Sequence, residues 1–280
     1  MKINPINEEH LIAFKSWLQG EGKSRGTIEK YLRDVRAFAV WLGGSELKKE
    51  NAVAWKNQLL TEGYAPVTVN SMLGAINTFF AFLCIDIKVK FIKIQRKLFR
   101  EQSKELTYAE FTRLLGTARR LGKYRLELLM ETICATGIRV SEVKYITVEA
   151  AKAGRATISL KGKVRVILLT GKLCRKLLRY AEKHKIISGE IFLTRSGKGM
   201  SRRQIWAEMK QLCNMAGVEQ SKVFPHNLRH LFAIMFYKVS HDIVHLADVL
   251  GHSSIETTRI YLLSSEKEHQ LTLERMQLVI

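Results

Sequence analysis

The chain has 280 residues, of which 46% are hydrophobic and 26% charged, a soluble globular composition that excludes a disordered or fibrous protein. Its formal net charge of +20 is unusual, and a chain so charged repels itself unless a polyanion or a counterion cloud offsets the charge. Lys and Arg are spread along the whole length and not gathered in one tail, which favours nucleic acid over an anionic membrane surface as the partner.

Helical periodicity dominates from the start. Leu11, Phe14, Trp17 and Leu18 fall on one stripe between Glu8 and Leu18. Ser24 is placed to cap a second helix, with Thr27 in its first turn; Tyr31, Val35, Phe38 and Leu42 run down one face, and Gly43-Gly44 ends it. A third helix is predicted over Ala52 to Leu60. A fourth starts at Pro66 and Thr68 and carries Met72, Ile76, Phe79, Phe80 and Leu83. Residues 1–87 therefore read as a compact four-helix unit.

The run KVKFIKIQRKLFREQSK, residues 88–104, is heavily basic and poor in acids. Such a run is often just a solvated helix face. Lying between two folded segments, it is read here as a linker that follows DNA phosphates. A capped helix begins after Leu106-Thr107, and two helices are expected around Tyr108–Leu121 and Tyr124–Thr136. Ala156–Leu160 and Val164–Leu169, around Lys161-Gly162-Lys163, form a β-hairpin with a very short turn. Helices resume from Leu173, Arg203, Asn227, Ile243 and Ser254. The second segment, residues 105–280, is thus mostly helical with a small antiparallel sheet.

Cys84, Cys134, Cys174 and Cys213 are far apart, sit among apolar neighbours and form no CxxC pair, which points to reduced core thiols. The N-terminus MKINPINEEH lacks an apolar signal core, and no apolar stretch is long enough to span a bilayer. The expectation is a cytoplasmic, nucleoid-associated protein.

Three stretches carry candidate chemistry. In Ala135–Glu142 (ATGIRVSE), Gly137 breaks a helix and Arg139 stands beside the next helix N-terminus, where free N–H groups also favour an anion; alone, Arg139 reads equally as a structural partner of Glu142. In Phe224–His230 (FPHNLRH), Pro225 opens a helix that sets His226 and Arg229 three residues apart on one face, close enough to grip one phosphate. His226 with His230, and His241 with His245, also resemble half of a zinc site, but no HExxH carboxylate or cysteine cluster completes it. In Leu246–Tyr261 (LADVLGHSSIETTRIY), Gly251 ends one helix, Ser253 or Ser254 caps the next, and that helix delivers Tyr261; singly, His252 reads as a cap and Tyr261 as packing.

Together these groups suit phosphoryl transfer to a protein nucleophile. Fixed guanidinium forks neutralise the charge on the non-bridging oxygens of the transition state without reorganisation. A tyrosine, with an ordinary pKa near 10, attacks only in a strongly cationic pocket or beside a base. A hairpin lysine is suited to protonating the departing 5′ oxygen. No metal, nucleotide or other cofactor is called for.

The three motifs, in this combination, order and spacing, resemble the tyrosine recombinases (the phage-integrase family), in size and layout the compact Xer-like and transposon-borne members. Ser24, Thr27, Tyr31, Phe38 and Trp41-Leu42 resemble the family's core-binding domain, so the resemblance covers nearly the whole chain. It implies a core-binding, SAM-like DNA-binding domain over 1–87, a basic linker over 88–104 and a catalytic domain with a C-terminal tail over 105–280. It implies that Arg139 and Arg229 hold the scissile phosphate, that His226 assists proton handling, that His252 hydrogen-bonds the phosphate, and that Tyr261 forms a 3′-phosphotyrosyl link. Glu142 takes the acidic position that supports the first arginine. The family's lysine lies in the hairpin; the turn Leu160-Lys161-Gly162-Lys163-Val164-Arg165 is compressed here, so the role goes to Lys161 with Lys163 as the alternative.

DNA contacts are expected from Ser24, Arg25 and Lys30, from Arg96, Lys97 and Arg100 in the linker, and from Arg202 and Arg203. The resemblance further implies a homotetramer on two DNA sites, with tails exchanged between protomers through Leu271, Leu273, Met276, Leu278, Val279 and Ile280, and leaves room for an accessory DNA-bending protein and a mobile-element role. No large N-terminal arm-binding domain precedes the core-binding unit, which favours simple sites. The competing readings are a type IB topoisomerase, which the Ser24–Leu42 pattern disfavours, and a non-catalytic DNA-bound regulator.

Overall fold

The computed structural model describes residues 6–95, 104–160, 163–263 and 266–276, in two compact units that divide between residues 96 and 97. Arg96, Lys97, Arg100, Lys161, Leu278, Val279 and Ile280 lie outside the described residues. The fold is mainly α with one two-stranded antiparallel sheet among the described residues.

The first unit holds α1 (Glu8–Gly20), α2 (Arg25–Leu42), α3 (Lys49–Thr61) and α4 (Pro66–Phe82). Asn7 caps α1 in a reciprocal box with His10, and Ser24 caps α2 by accepting from the Thr27 N–H. Leu11, Phe14 and Leu18 of α1 meet Val35 and Phe38 of α2, Trp55 of α3 and Leu73, Ile76, Phe79 and Phe80 of α4 in one core. The Phe14 ring meets Phe79 edge-on at 5.1 Å. Each such side chain, fully buried, contributes about 1.5–3 kcal/mol. After α4 the backbone runs extended against it: Asn77 exchanges two hydrogen bonds with Val89, and Asn70 two with Ile92. These amides imitate a strand partner, so the first part of the basic run is fastened to α4.

The second unit starts with α5 (Tyr108–Arg120), capped by the Thr107–Glu110 box, and α6 (Tyr124–Thr136), which ends on Gly137 in the left-handed region. Where the sequence suggests a helix from Arg139, the chain makes a 3-10 turn, Val140–Tyr145. A short α7 (Val148–Ala153) leads into β1 (Arg155–Leu160) and β2 (Lys163–Leu168), paired from Arg155 with Leu168 to Leu160 with Lys163. The pleat buries Ala156, Ile158 and Ile167 and exposes Val164, Val166 and Leu168. Arg165, opposite Ile158, shares the inward face. There follow α8 (Gly171–Lys183), α9 (Arg202–Lys210), α10 (Cys213–Ala216), α11 (Pro225–Ser240), α12 (Ile243–Leu250), α13 (Ile255–Arg259), a 3-10 turn at Ile260–Leu262, and α14 (Glu266–Arg275). Buried Leu114, Leu129, Ile133, Ile138, Phe192 and Leu228 form the main core, while Ala233, Leu246, Leu250 and Tyr261 make a separate small one.

All four cysteines are free, and burial pushes the Cys134 thiol up to about 12. No described helix is long and apolar enough to cross a membrane.

Candidate active site

Three helix ends converge. Gly137 closes α6 at φ +63°, and a Cβ there would stand 2.4 Å from Phe232 Cδ1, so only glycine permits this approach to α11. Its carbonyl accepts from Nη1 of Arg229, and the Leu250 carbonyl, at the end of α12, accepts from Nη2 at 2.8 Å. Carbonyls at helix C-termini carry partial negative charge, so the 2% exposed Arg229 is held by two helix ends, with no carboxylate among the described residues bonded to it. Burial lowers its pKa to about 10; Arg139 adds to the fall and the Tyr261 phenol opposes it. The guanidinium therefore stays charged at neutral pH.

Arg139 occupies the cap position of the 3-10 turn. Its backbone N–H donates to Oε2 of Glu142 at 2.7 Å, and its Nη1 donates to Oε1 at 3.0 Å. Glu142 is 1% exposed and also receives Nη2 of Arg165, so one buried carboxylate serves two guanidinium groups. Arg165 donates from Nη1 to the Val249 carbonyl at 3.0 Å, and its buried Nε has no hydrogen-bond partner among the described residues. Burial lowers its pKa, against the pull of Glu142. Gly251, at φ +65°, lets the Arg165 side chain pass: a Cβ would lie 2.6 Å from its Cδ. The Arg139 side chain is 41% exposed and open to a ligand.

His252 follows Gly251. Its Nε2 lies 2.8 Å from Arg229 Nη2, and its Nδ1 lies 2.8 Å from Oγ1 of fully buried Thr258. Burial, with Arg229, Arg139 and Arg165 nearby, lowers its pKa to about 4. His226, in the first turn of α11, is lowered chiefly by burial and then by Arg229.

Tyr261 sits in the 3-10 turn after α13, 6% exposed. Its ring is 5.7 Å from His226, 5.1 Å from His230 and 5.8 Å from His252, nearly parallel to the last at 12°. The structure thus brings Arg139, Glu142, His226, Arg229, His252 and Tyr261 together. The half-zinc pairs are used otherwise: His226 and His230 flank Tyr261, and His245 packs edge-on against Phe236 at 5.2 Å. Among the described residues, no group of three or more His, Cys, Asp or Glu side chains is arranged to hold a metal ion.

Of the expected DNA contacts, Ser24 caps α2 and Arg25 pairs with Glu29 at the surface. Lys30 is engaged internally, donating to the Ser71 carbonyl at 2.6 Å and pairing with buried Asp34 at 2.8 Å. Arg202 and Arg203 are exposed in the first turn of α9.

Sequence reasoning assigned no role at this site to three of its members, reading His230 only as a possible half of a zinc pair. In the sequence Arg165 stands only as part of the hairpin pattern; its inward position in the pleat, opposite Ile158, is the available signal. His230 falls four residues after His226, one turn further along α11. Thr258 gives no signal in sequence.

A helical protein that clusters guanidinium groups and histidines about a buried tyrosine has the makings of a phosphoryl-transfer enzyme working on a nucleic-acid backbone. Comparison with known proteins sharpens that class. Residues 104–268 match the Phage integrase family and residues 11–85 the Phage integrase N-terminal SAM-like domain. The tyrosine recombinase XerA of Thermococcus kodakarensis is 31% identical over 265 residues, covering 92% of this chain and 90% of the relative. Among solved structures, XerH site-specific recombinase bound to palindromic difH substrate in a post-cleavage complex shares the fold, with a TM-score of 0.73, 18% identity, and 88% and 78% of the two chains covered. So does a lambda integrase tetramer bound to a Holliday junction, with a TM-score of 0.72, 18% identity and coverage of 93% and 77%. The chain belongs to the phage integrase family, the tyrosine recombinases. It is a site-specific DNA recombinase, and neither the topoisomerase nor the regulator reading is favoured.

Proposed function

We propose that this recombinase cuts and rejoins duplex DNA through a 3′-phosphotyrosyl intermediate on Tyr261, without metal or ATP. The observation that carries the reading is Tyr261 enclosed by three histidine rings beside the Arg229 guanidinium, which is held by backbone carbonyls. Arg139 and Arg229 take the non-bridging oxygens of the scissile phosphate. The Tyr261 oxygen attacks phosphorus as its proton passes to His226, and the bond to the 5′ oxygen breaks. A hairpin lysine, Lys161 or alternatively Lys163, protonates that oxygen. His252, whose Nε2 accepts from Arg229 in the DNA-free site, shifts its proton to Nε2 to hydrogen-bond the phosphate while Thr258 donates to Nδ1. The phosphotyrosyl ester keeps the bond energy, so attack by a 5′ hydroxyl reverses the step.

In this reading residues 1–87 are the core-binding domain, 88–104 the linker and 105–280 the catalytic domain. Ser24, Arg25, Arg202 and Arg203, with Arg96, Lys97 and Arg100, meet the DNA, and Lys30 joins them only by giving up its ties to Ser71 and Asp34. The enzyme works as a homotetramer, with a DNA-bending accessory protein where the site needs one, and serves a mobile element in the nucleoid. An apolar cleft of about 470 Å³ on the second unit, lined by Phe111, Leu115, Leu173, Leu231, Phe232 and Met235, suits the exposed Leu271, Leu273 and Met276 of a neighbour's tail.

The test is covalent capture. Purified protein is mixed with nicked fragments of source DNA, denatured in detergent, and the attached DNA is sequenced, with Tyr261→Phe as control. Discrete ends dependent on Tyr261 are expected. Tight binding without Tyr261-dependent attachment overturns the reading.

A further inference from the structure

The mechanism above gives His230 no task, yet His230 makes the closest ring contact to Tyr261 of the three surrounding histidines, at 5.1 Å between centroids. Its Nε2 lies 3.2 Å from the backbone carbonyl of Tyr261. That carbonyl sits in a three-residue 3-10 turn ending at Leu262, after which Leu263 is extended. The last carbonyls of such a turn lie beyond the reach of intrahelical donors and need one from outside. A carbonyl only accepts, so His230 serves it only with the proton on Nε2. Oε1 of Glu105 stands 3.8 Å from the same Nε2, and both side chains are 15% exposed. A carboxylate on that side of the ring favours the Nε2–H tautomer. The backbone just before Glu105 is fastened, because buried Asn227 donates to the carbonyls of Lys104 and Lys222, each at 2.8 Å.

We propose that His230 and Glu105 are positioning residues for the nucleophile: Glu105 keeps the proton on His230 Nε2, and that N–H holds the Tyr261 carbonyl. The pair fixes where the turn places its phenol relative to Arg229 and takes no part in moving protons to or from the reacting oxygens. The inference rests on Tyr261 being the nucleophile.

The experiment is single-turnover attachment to the captured DNA site at saturating DNA, with DNA affinity measured in parallel. His230→Ala is expected to slow attachment by about tenfold or more, since small misplacement of a reacting group costs up to about a hundredfold, with affinity unchanged within about twofold. His230→Gln carries an amide donor to the position of Nε2 and restores the rate to within about threefold of wild type. Glu105→Ala slows attachment too, and the double variant is no slower than His230→Ala alone, because the two act in series. A 5′-bridging phosphorothiolate substrate, whose thiolate leaves without a proton, does not rescue His230→Ala. Rescue by that substrate, additive losses in the double variant, or a wild-type rate for His230→Ala each overturn the proposal. Should His230→Ala fail to fold, Glu105→Ala against Glu105→Gln carries the test: loss of the carboxylate slows both, and wild-type rates in both overturn the idea. Attachment surviving in Tyr261→Phe sinks the nucleophile assignment instead, a separately visible failure.

Discussion

Arg229 and His252 meet at 2.8 Å, Nη2 against Nε2, and this contact dictates the state of the imidazole. A guanidinium only donates, so Nε2 accepts and the ring proton sits on Nδ1, from which it reaches Oγ1 of Thr258. Burial is the main reason the pKa falls to about 4, and a proton on Nε2 as well would face Arg229, which adds to the fall.

Nitrogen NMR of His252 is therefore expected to show a neutral Nδ1–H ring at neutral pH, titrating near 4. The folded pKa lies below the ordinary 6.5, so the stability tied to the neutral ring is fully present above 6.5 and lost as pH falls through about 4. Denaturant unfolding of the wild type across that window should fall more steeply than that of His252→Gln. Parallel curves refute the assignment.

Glu142 is the buried counter-charge of both Arg139 and Arg165. Glu142→Gln leaves two guanidinium groups without it, and breaking a buried pair of this kind costs about 3–5 kcal/mol. Urea unfolding is the check, and a loss under about 1 kcal/mol contradicts the arrangement.

Gly251 and Gly154 share nearly the same left-handed backbone, φ +65° and +67°, but a Cβ at Gly251 meets Arg165 while one at Gly154 meets nothing within 4 Å. Gly154→Ala should cost only the left-handed strain, about 1–2 kcal/mol, and leave covalent attachment intact. Gly251→Ala should carry that cost and also slow attachment, at unchanged DNA affinity, by dislodging Arg165. Equal attachment rates for the two variants would show that Arg165 does not matter to the site.

Because guanidinium groups carry the charge work in the proposed mechanism, stripping divalent metal with EDTA should leave the rate of covalent attachment unchanged. A rate that falls on EDTA treatment and returns with added magnesium contradicts it.

Truncation after Glu266 removes the apolar residues proposed to enter a neighbour's cleft. Native gels are expected to show DNA binding retained and paired-site complexes lost; unchanged recombination by the truncated chain refutes the exchange.

Most of the helical framework could be read in advance, because its signals are local. Ser24 and Thr107 cap where the sequence places them, and the stripes of α1, α2 and α4 become one core. The hairpin was legible from alternation. The turn at Val140–Tyr145 was not, because Glu142 folds back on the Arg139 N–H and is drawn on by Arg165, a residue 23 positions away in the chain. Of the site, the residues in short motifs stood out as a set. His230, Arg165 and Thr258 did not, because each is defined by what it touches: a distant carbonyl, a buried carboxylate, a histidine ring. The internal ties of Lys30 to Ser71 and Asp34 were equally invisible, since a lysine on a helix face looks the same whether it meets solvent or an interior carboxylate.

The way Arg229 is solvated bears on how the enzyme is handled in solution. Peptide carbonyls at the ends of α6 and α12 stabilise its charge without cancelling it, so among the described residues an arriving oxyanion has no carboxylate to evict there. A cation stabilised in that way does not discriminate by what else is attached to the anion. Inorganic phosphate, sulfate and vanadate should all compete with the DNA backbone for it, and assays in phosphate buffer would understate the activity of a preparation that is fully folded and intact.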